Sequence, residues 1–163
     1  MTRWPPLTLT SPAETEELAG QFAPLLTRGD LLLLSGPVGA GKSHFARALI
    51  QTRMRAVGMF EDVPSPSYTL VQVYEVGGLD IWHADLYRLS DASEVHELGL
   101  TAAFETALCL IEWPERAVLE WPDTALRLTF DPGPADTARQ LAFSSIRPEA
   151  PERFLPILGR ADG

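Results

Sequence analysis

The residues with the most chemical content run from Gly36 to Ser43, in the order Gly36-Pro37-Val38-Gly39-Ala40-Gly41-Lys42-Ser43. This string satisfies G-x-x-x-x-G-K-[ST]. Its glycines let the backbone wind until successive N–H groups point at phosphate oxygens. A helix opening inside the motif adds its positive end. In such a loop Lys42 reaches the β- and γ-phosphates of a nucleotide, and the Ser43 hydroxyl is a ligand for Mg²⁺. Lys42 is also the only lysine among 13 basic residues, so chemistry that needs an amine falls to it or to the N-terminus.

A phosphate loop needs an acid at the end of a neighbouring strand to manage the metal. Two segments offer one. Ala107-Leu108-Cys109-Leu110-Ile111-Glu112 is an apolar run ending in a carboxylate, and Leu79-Asp80-Ile81-Trp82-His83-Ala84-Asp85 ends in another. The segment Val63-Pro64-Ser65-Pro66-Ser67-Tyr68-Thr69 is rigid and rich in hydroxyls. It follows the phosphate-loop helix, where many such proteins carry a γ-phosphate-sensing segment; a proline-stiffened surface loop is the plainer reading. His44, His83 and His96 lack the paired spacing of a zinc site. Cys109, inside an apolar run, reads as core. Trp113 and Trp121 read as packing aromatics.

The elements that must position these residues follow from periodicity. Leu7 to Leu9 reads as a short strand, and Ser11 with Glu14 forms a capping box for a helix running towards Leu26. Leu31 to Leu34 is a continuous apolar run, the pattern of a strand covered on both faces. Ser43 to Arg53 reads as a helix with arginines in its last turn. Tyr68 to Val76 and Leu79 to Asp85 read as strands joined by a Gly77-Gly78 hairpin turn. Ser90 to Leu98 and Thr101 to Thr106 read as helices, and Ala107 to Ile111 as a buried strand. Ala125 to Phe130 and Gln140 to Ile146 read as strands joined at Pro132-Gly133-Pro134, before a short helix near Glu152 to Leu158. Strands alternating with helices around a glycine-rich loop predict an α/β, three-layer domain.

Composition narrows the function. A chain of 163 residues, 45% apolar, holds about one domain, expected to span residues 1–163. A net charge of -9 argues against a free-standing nucleic-acid binder. One cysteine excludes an internal disulfide. No apolar run approaches the roughly 18 residues of a membrane span, and Met1 to Thr10 lacks the apolar core of a signal peptide. The expectation is a cytoplasmic protein without membrane attachment.

Several ordered motifs together resemble the TsaE family, small P-loop ATPases of bacterial tRNA threonylcarbamoyladenosine synthesis. Gly36 to Phe45 is similar to the family's G-x-x-G-A-G-K-T-T-F, and Ser65 to Val71 to its S-P-T-[FY]-T-L-V. His83-Ala84-Asp85-Leu86-Tyr87-Arg88-Leu89 is similar to H-x-D-L-Y-R-L, Glu94 to Gly99 to E-x-x-x-L-G, and Leu110 to Pro114 to L-[IV]-E-W-P. The resemblance spans residues 11 to 116. Ser43 and Ser67 stand where threonine is usual, keeping the hydroxyl, and His44 replaces a second threonine.

The resemblance implies a P-loop NTPase-like domain with a mostly parallel central sheet and a C-terminal antiparallel hairpin. It implies that Val38, Gly39, Ala40, Gly41, Lys42 and Ser43 bind the phosphates of ATP, and that Ser43 and Glu112 hold Mg²⁺. Lys42, Asp85 and Glu112 would be the catalytic group, with Asp85 positioning metal or water and Ser67 in a nucleotide-sensing loop. Pro12 would lie at the adenine pocket, and Arg139 would approach the nucleotide from the late hairpin. The implied partners are TsaD and TsaB, with tRNA reached only through their complex. A small-molecule kinase and a nucleotide-gated interaction module are the rival readings. Arg88 and the Arg53/Arg55 pair are the only hints of a kinase lid. A Ras-type GTPase would need an [NT]-K-x-D segment, and the one lysine is already in the phosphate loop.

Overall fold

The computed structural model describes residues 2–91, 93–117, 121–133, 138–145 and 152–159. Its strands are β1 (Thr2–Leu9), β2 (Leu31–Ser35), β3 (Val71–Val76), β4 (Leu79–Asp85), β5 (Leu108–Glu112), β6 (Ala125–Pro132) and β7 (Arg139–Ser145). The helices are α1 (Pro12–Phe22), α2 (Lys42–Ala56), α3 (Glu94–Glu97), α4 (Leu100–Thr106) and α5 (Leu155–Leu158). All the strands join one 7-stranded sheet in the order β1-β7-β6-β2-β5-β4-β3. The centre, β6-β2-β5-β4, is parallel. The edges are antiparallel: β3 on β4 at one side, and the β6–β7 hairpin followed by β1 at the other.

Alternation along β2 explains the layers. Leu32 and Leu34 pack on one face with Leu18, Phe22, Phe45 and Leu49 of α1 and α2. Leu31 and Leu33 pack on the other with Leu100, Ala103 and Phe104 of α4. A strand buried on both faces has no polar side to show, hence the unbroken leucine run. β5 behaves alike: Leu108 and Leu110 join the first cluster, Cys109 and Ile111 the second. Phe45 links α2 to α1 and to β6 through edge contacts with Phe22 and Phe130, at 6.0 and 5.8 Å between ring centroids. Arg53 in the last turn of α2 donates to the Ala23 and Leu26 carbonyls, closing the end of the α1 region.

Three elements differ from the sequence reading. The first strand starts at Thr2, because β1 is an edge strand and shifts register between Trp4 and Leu7. An edge tolerates the missing N–H donors of Pro5 and Pro6. The strand expected from Tyr68 starts only at Val71: Leu70 has a φ of 68° and folds its N–H back to the Pro66 carbonyl. The helix expected over Ser90 to Leu98 is reduced to Glu94–Glu97: the Asp91 N–H donates to Glu94 Oε1 and the Ser93 N–H to Asp91 Oδ1, local bonds that compete with helix. The Ser11 cap forms as expected, but Glu14 reaches back to Thr10 and not to the Ser11 N–H. Pro134 and Ile146 lie outside the described residues.

No helix among the described residues is long and apolar enough to cross a membrane. Cys109 is fully buried in β5, and desolvation pushes its thiol up to about 12. Only a thiolate attacks disulfide reagents. Cys109 is therefore expected to stay unreactive towards Ellman's reagent at pH 8 in the folded protein, and to titrate fully after denaturation; prompt native reaction would contradict this burial.

Candidate phosphate-binding site

The site grows out of the register of the parallel strands. β2 runs directly into the glycine loop, and pairing sets Glu112 of β5 beside both Leu34 and Asp85. Loop, Glu112 and Asp85 thus meet at the carboxyl ends of neighbouring parallel strands, where open α/β sheets bind ligands. Two loop glycines are forced by geometry. Gly36 has a φ of 138°, and a Cβ there would collide with the Phe130 carbonyl. Gly41 caps α2 at a φ of 109°, a left-handed conformation that a side chain resists.

These residues line a cavity of about 660 Å³. Val38 to Ser43 form one wall, and Ser67, Asp85 and Glu112 another. Lys42 is buried, its amine donating to the carbonyls of Gly36 and, at 3.0 Å, Pro37. The same amine lies 4.0 Å from the centre of the Trp113 ring. Burial pushes the lysine below its ordinary pKa, while Glu112, Glu115 and Asp85 act against that shift.

Each acid is held by both oxygens. Ser43 Oγ donates to Glu112 Oε1 at 2.7 Å, and His83 Nε2 lies 2.7 Å from Glu112 Oε2. Asp85 accepts from the Tyr87 N–H at 3.0 Å and from Ser67 Oγ at 3.2 Å. The Asp85 N–H in turn donates to the Leu70 carbonyl, tying the 65–70 loop to the end of β4.

The cavity therefore brings together Val38, Gly39, Ala40, Gly41, Lys42, Ser43, Ser67, Asp85 and Glu112. Pro12 and Arg139 do not line it. Pro12 is exposed, and its carbonyl bonds His44 Nε2 at 3.2 Å, which places it at the rim. Arg139 grips the loop from outside the cavity, donating to the carbonyls of Ala40 at 3.1 Å and Gly39 at 3.0 Å. That contact orders the loop backbone and leaves its N–H groups free of this guanidinium.

Further side chains complete the site. Trp113 lies under the lysine because it takes a left-handed turn, φ 57°, directly after β5; it also stacks near Tyr87, 4.8 Å away. Tyr68 and Arg88 line the cavity as a stacked pair, 4.4 Å apart. His83, which lacks the spacing of a zinc site, is the buried partner of Glu112. Its i, i+2 spacing from Asp85 on a strand was the available signal, since it puts both on one face.

The donor set suits a magnesium nucleotide. Ser43, Asp85 and Glu112 offer hard oxygens, which Mg²⁺ prefers, and Mg²⁺ is held through one or two carboxylates plus phosphates. No group of three or more His, Cys, Asp or Glu among the described residues could hold a metal by itself. Arg47, Lys42 and Arg88 supply positive charge around the same cavity.

Comparison with known proteins gives a consistent answer. Residues 9–141 match the model of the family described as threonylcarbamoyl adenosine biosynthesis protein TsaE. A tRNA threonylcarbamoyladenosine biosynthesis protein TsaE of Bacillus subtilis is 31% identical over 137 residues, covering 83% of this chain and 82% of that one. Its namesake in Rickettsia typhi is 39% identical over 108 residues, 66% of this chain and 73% of the other. The crystal structure of Bacillus subtilis YdiB superposes with a TM-score of 0.77 at 26% identity, covering 100% of this chain and 99% of that one.

Proposed function

The chain belongs to the TsaE family of tRNA threonylcarbamoyladenosine biosynthesis, and from that premise we propose that it is a Mg²⁺-dependent ATPase acting on a protein partner. One observation carries the reading: the 2.7 Å bond from Ser43 Oγ to Glu112 Oε1. It joins the end of the phosphate motif to the acid of the adjacent parallel strand, the pair that a nucleotide-bound metal requires.

In this reading the backbone N–H groups of Val38 to Ser43 bind the phosphates of ATP, and Lys42 neutralises charge on the β- and γ-phosphates. Ser43 and Glu112 hold Mg²⁺, which when bound supplies charge neutralisation across the phosphate oxygens. Asp85 positions the attacking water or the metal's water shell from a carboxylate fixed by Tyr87 and Ser67. Ser67 couples the 65–70 loop to the nucleotide state. Arg139 keeps the loop backbone in its binding shape, and Pro12 fixes His44 at the rim on the adenine side.

The partner is the TsaD–TsaB complex of the cytoplasm, which the ATPase cycle resets; the transfer to tRNA occurs there. The net charge of -9 disfavours a direct contact with tRNA, whose binding draws on Lys and Arg contacts to phosphate. Single-turnover ATP hydrolysis, measured alone and with TsaD and TsaB, tests the proposal. Slow hydrolysis alone and an acceleration of about tenfold or more with both partners are expected. Transfer of the γ-phosphate to a small-molecule acceptor, or partner-independent turnover, would overturn it.

A further inference from the structure

We propose that His83 is a positioning residue: it fixes the Glu112 carboxylate so that Oε1 is presented, with the Ser43 hydroxyl, to the divalent cation. The inference rests on the magnesium-nucleotide reading of this cavity. His83 stands opposite Leu110 across the β4–β5 ladder, and Asp85 opposite Glu112. His83 and Glu112 are thus diagonal neighbours on one face, within reach of each other's longer side chains. Their side chains are both 1% exposed.

Two features separate this contact from ordinary packing. The first concerns torsional freedom. The terminal torsion of a glutamate is broad and roughly two-fold, so the single bond from Ser43 would leave the carboxylate plane free to turn. A second bond, on the other oxygen and from the other side, fixes that plane. Glu112 and Ser43 line the cavity while His83 does not, so the imidazole grips the carboxylate from behind and leaves the cavity side open.

The second feature is that the ring is otherwise costly. His83 Nδ1 is buried without a hydrogen-bond partner, and an unsatisfied buried polar atom is destabilising. An apolar residue would fill the same space without that cost. The only bond the ring makes among the described contacts is the one to Glu112. That bond places the ring proton on Nε2, since a carboxylate oxygen only accepts. Holding a ligand's second oxygen in this way alters metal affinity by about 10- to 100-fold in other sites.

The test uses two variants and a binding readout. ADP affinity is measured by calorimetry as Mg²⁺ is titrated, and again without metal. His83→Leu is expected to raise the Mg²⁺ concentration for half-maximal effect by about tenfold or more and to leave metal-free ADP affinity unchanged. His83→Gln, whose amide N–H reaches to the Nε2 position, is expected to recover most of the loss. An unchanged Mg²⁺ requirement in His83→Leu, or an equal loss with and without metal, would overturn the positioning role. Wild-type protein that binds ADP with no response to Mg²⁺ would instead overturn the magnesium reading beneath it. If the leucine variant does not fold, the imidazole nitrogen signals of the wild type decide by NMR. A proton held on Nε2, before and after Mg²⁺ and ADP are added, supports the role; one on Nδ1 overturns it.

Discussion

Lys42→Ala is expected to lower ATP turnover by about 10²–10³, the usual effect of deleting one preorganised donor at a developing charge, while the protein stays folded. The size of the effect follows from the composition as much as from the site. No second lysine exists to substitute, and Arg47 and Arg88 enter the cavity from other walls. The retention of fold follows from the energetics of the amine. Desolvation already weighs against its charge, so alanine removes a group whose burial is opposed. The carbonyls of Gly36 and Pro37 lose a donor, but Gly36 is half-buried and Pro37 exposed, so water can replace it. The measurement is turnover beside a thermal unfolding curve. Turnover near wild type in a folded variant would refute the phosphate-loop assignment.

Glu112→Gln and Glu112→Ala should separate the electrostatic from the structural work of the second acid. Glutamine keeps the volume and can still accept from His83 and donate to Ser43, so the fold is expected to persist. Without the negative charge, the Mg²⁺ concentration needed for nucleotide binding should rise about tenfold or more, and turnover should fall with it. Alanine does the same and also strands the His83 donor in the interior, a loss of about 1–3 kcal/mol. Its unfolding midpoint should therefore drop by several degrees relative to glutamine, at roughly 2–4 °C per kcal/mol for a chain of this size. Asp85→Ala should cripple turnover with the smaller change in Mg²⁺ requirement, because the Ser43 bond goes to Glu112 and not to Asp85. Mg²⁺ titrations of either Glu112 variant that overlay wild type would refute the metal role.

What the sequence by itself determined was the chemistry carried by short, contiguous strings. The phosphate loop was legible because its function lies in consecutive backbone N–H groups and one lysine, all within Gly36 to Ser43. β2 and β5 were legible because burial on both faces leaves a run of apolar residues that no exposed element shows. The Ser11 cap was legible because its bond spans only three residues. From the residues alone the partner of Ser43 was only an acid near the loop, Asp85 or Glu112; the family resemblance singled out Glu112, and the bond itself bridges 69 positions.

Tertiary structure decided everything that depends on which strands become neighbours. Nothing local says that β1 returns to the edge beside β7, or that prolines are tolerated there because one side of an edge strand makes no ladder bonds. The resemblance brings Arg139 towards the nucleotide from the late hairpin, but only the fold shows it bonded to the Gly39 and Ala40 carbonyls. Likewise the left-handed turns at Leu70 and Trp113 are held by backbone bonds to other strands, from the Asp85 N–H to the Leu70 carbonyl and from the Trp113 N–H to the Leu34 carbonyl. His83 is the clearest case. As one histidine in a strand it has no metal-ligand spacing and no nucleophile beside it. It gains a role only when parallel pairing sets β4 against β5 and brings its Nε2 to 2.7 Å from a carboxylate 29 residues away. Local sequence encodes backbone geometry and chemical type; which side chain holds which is a property of strand order and register.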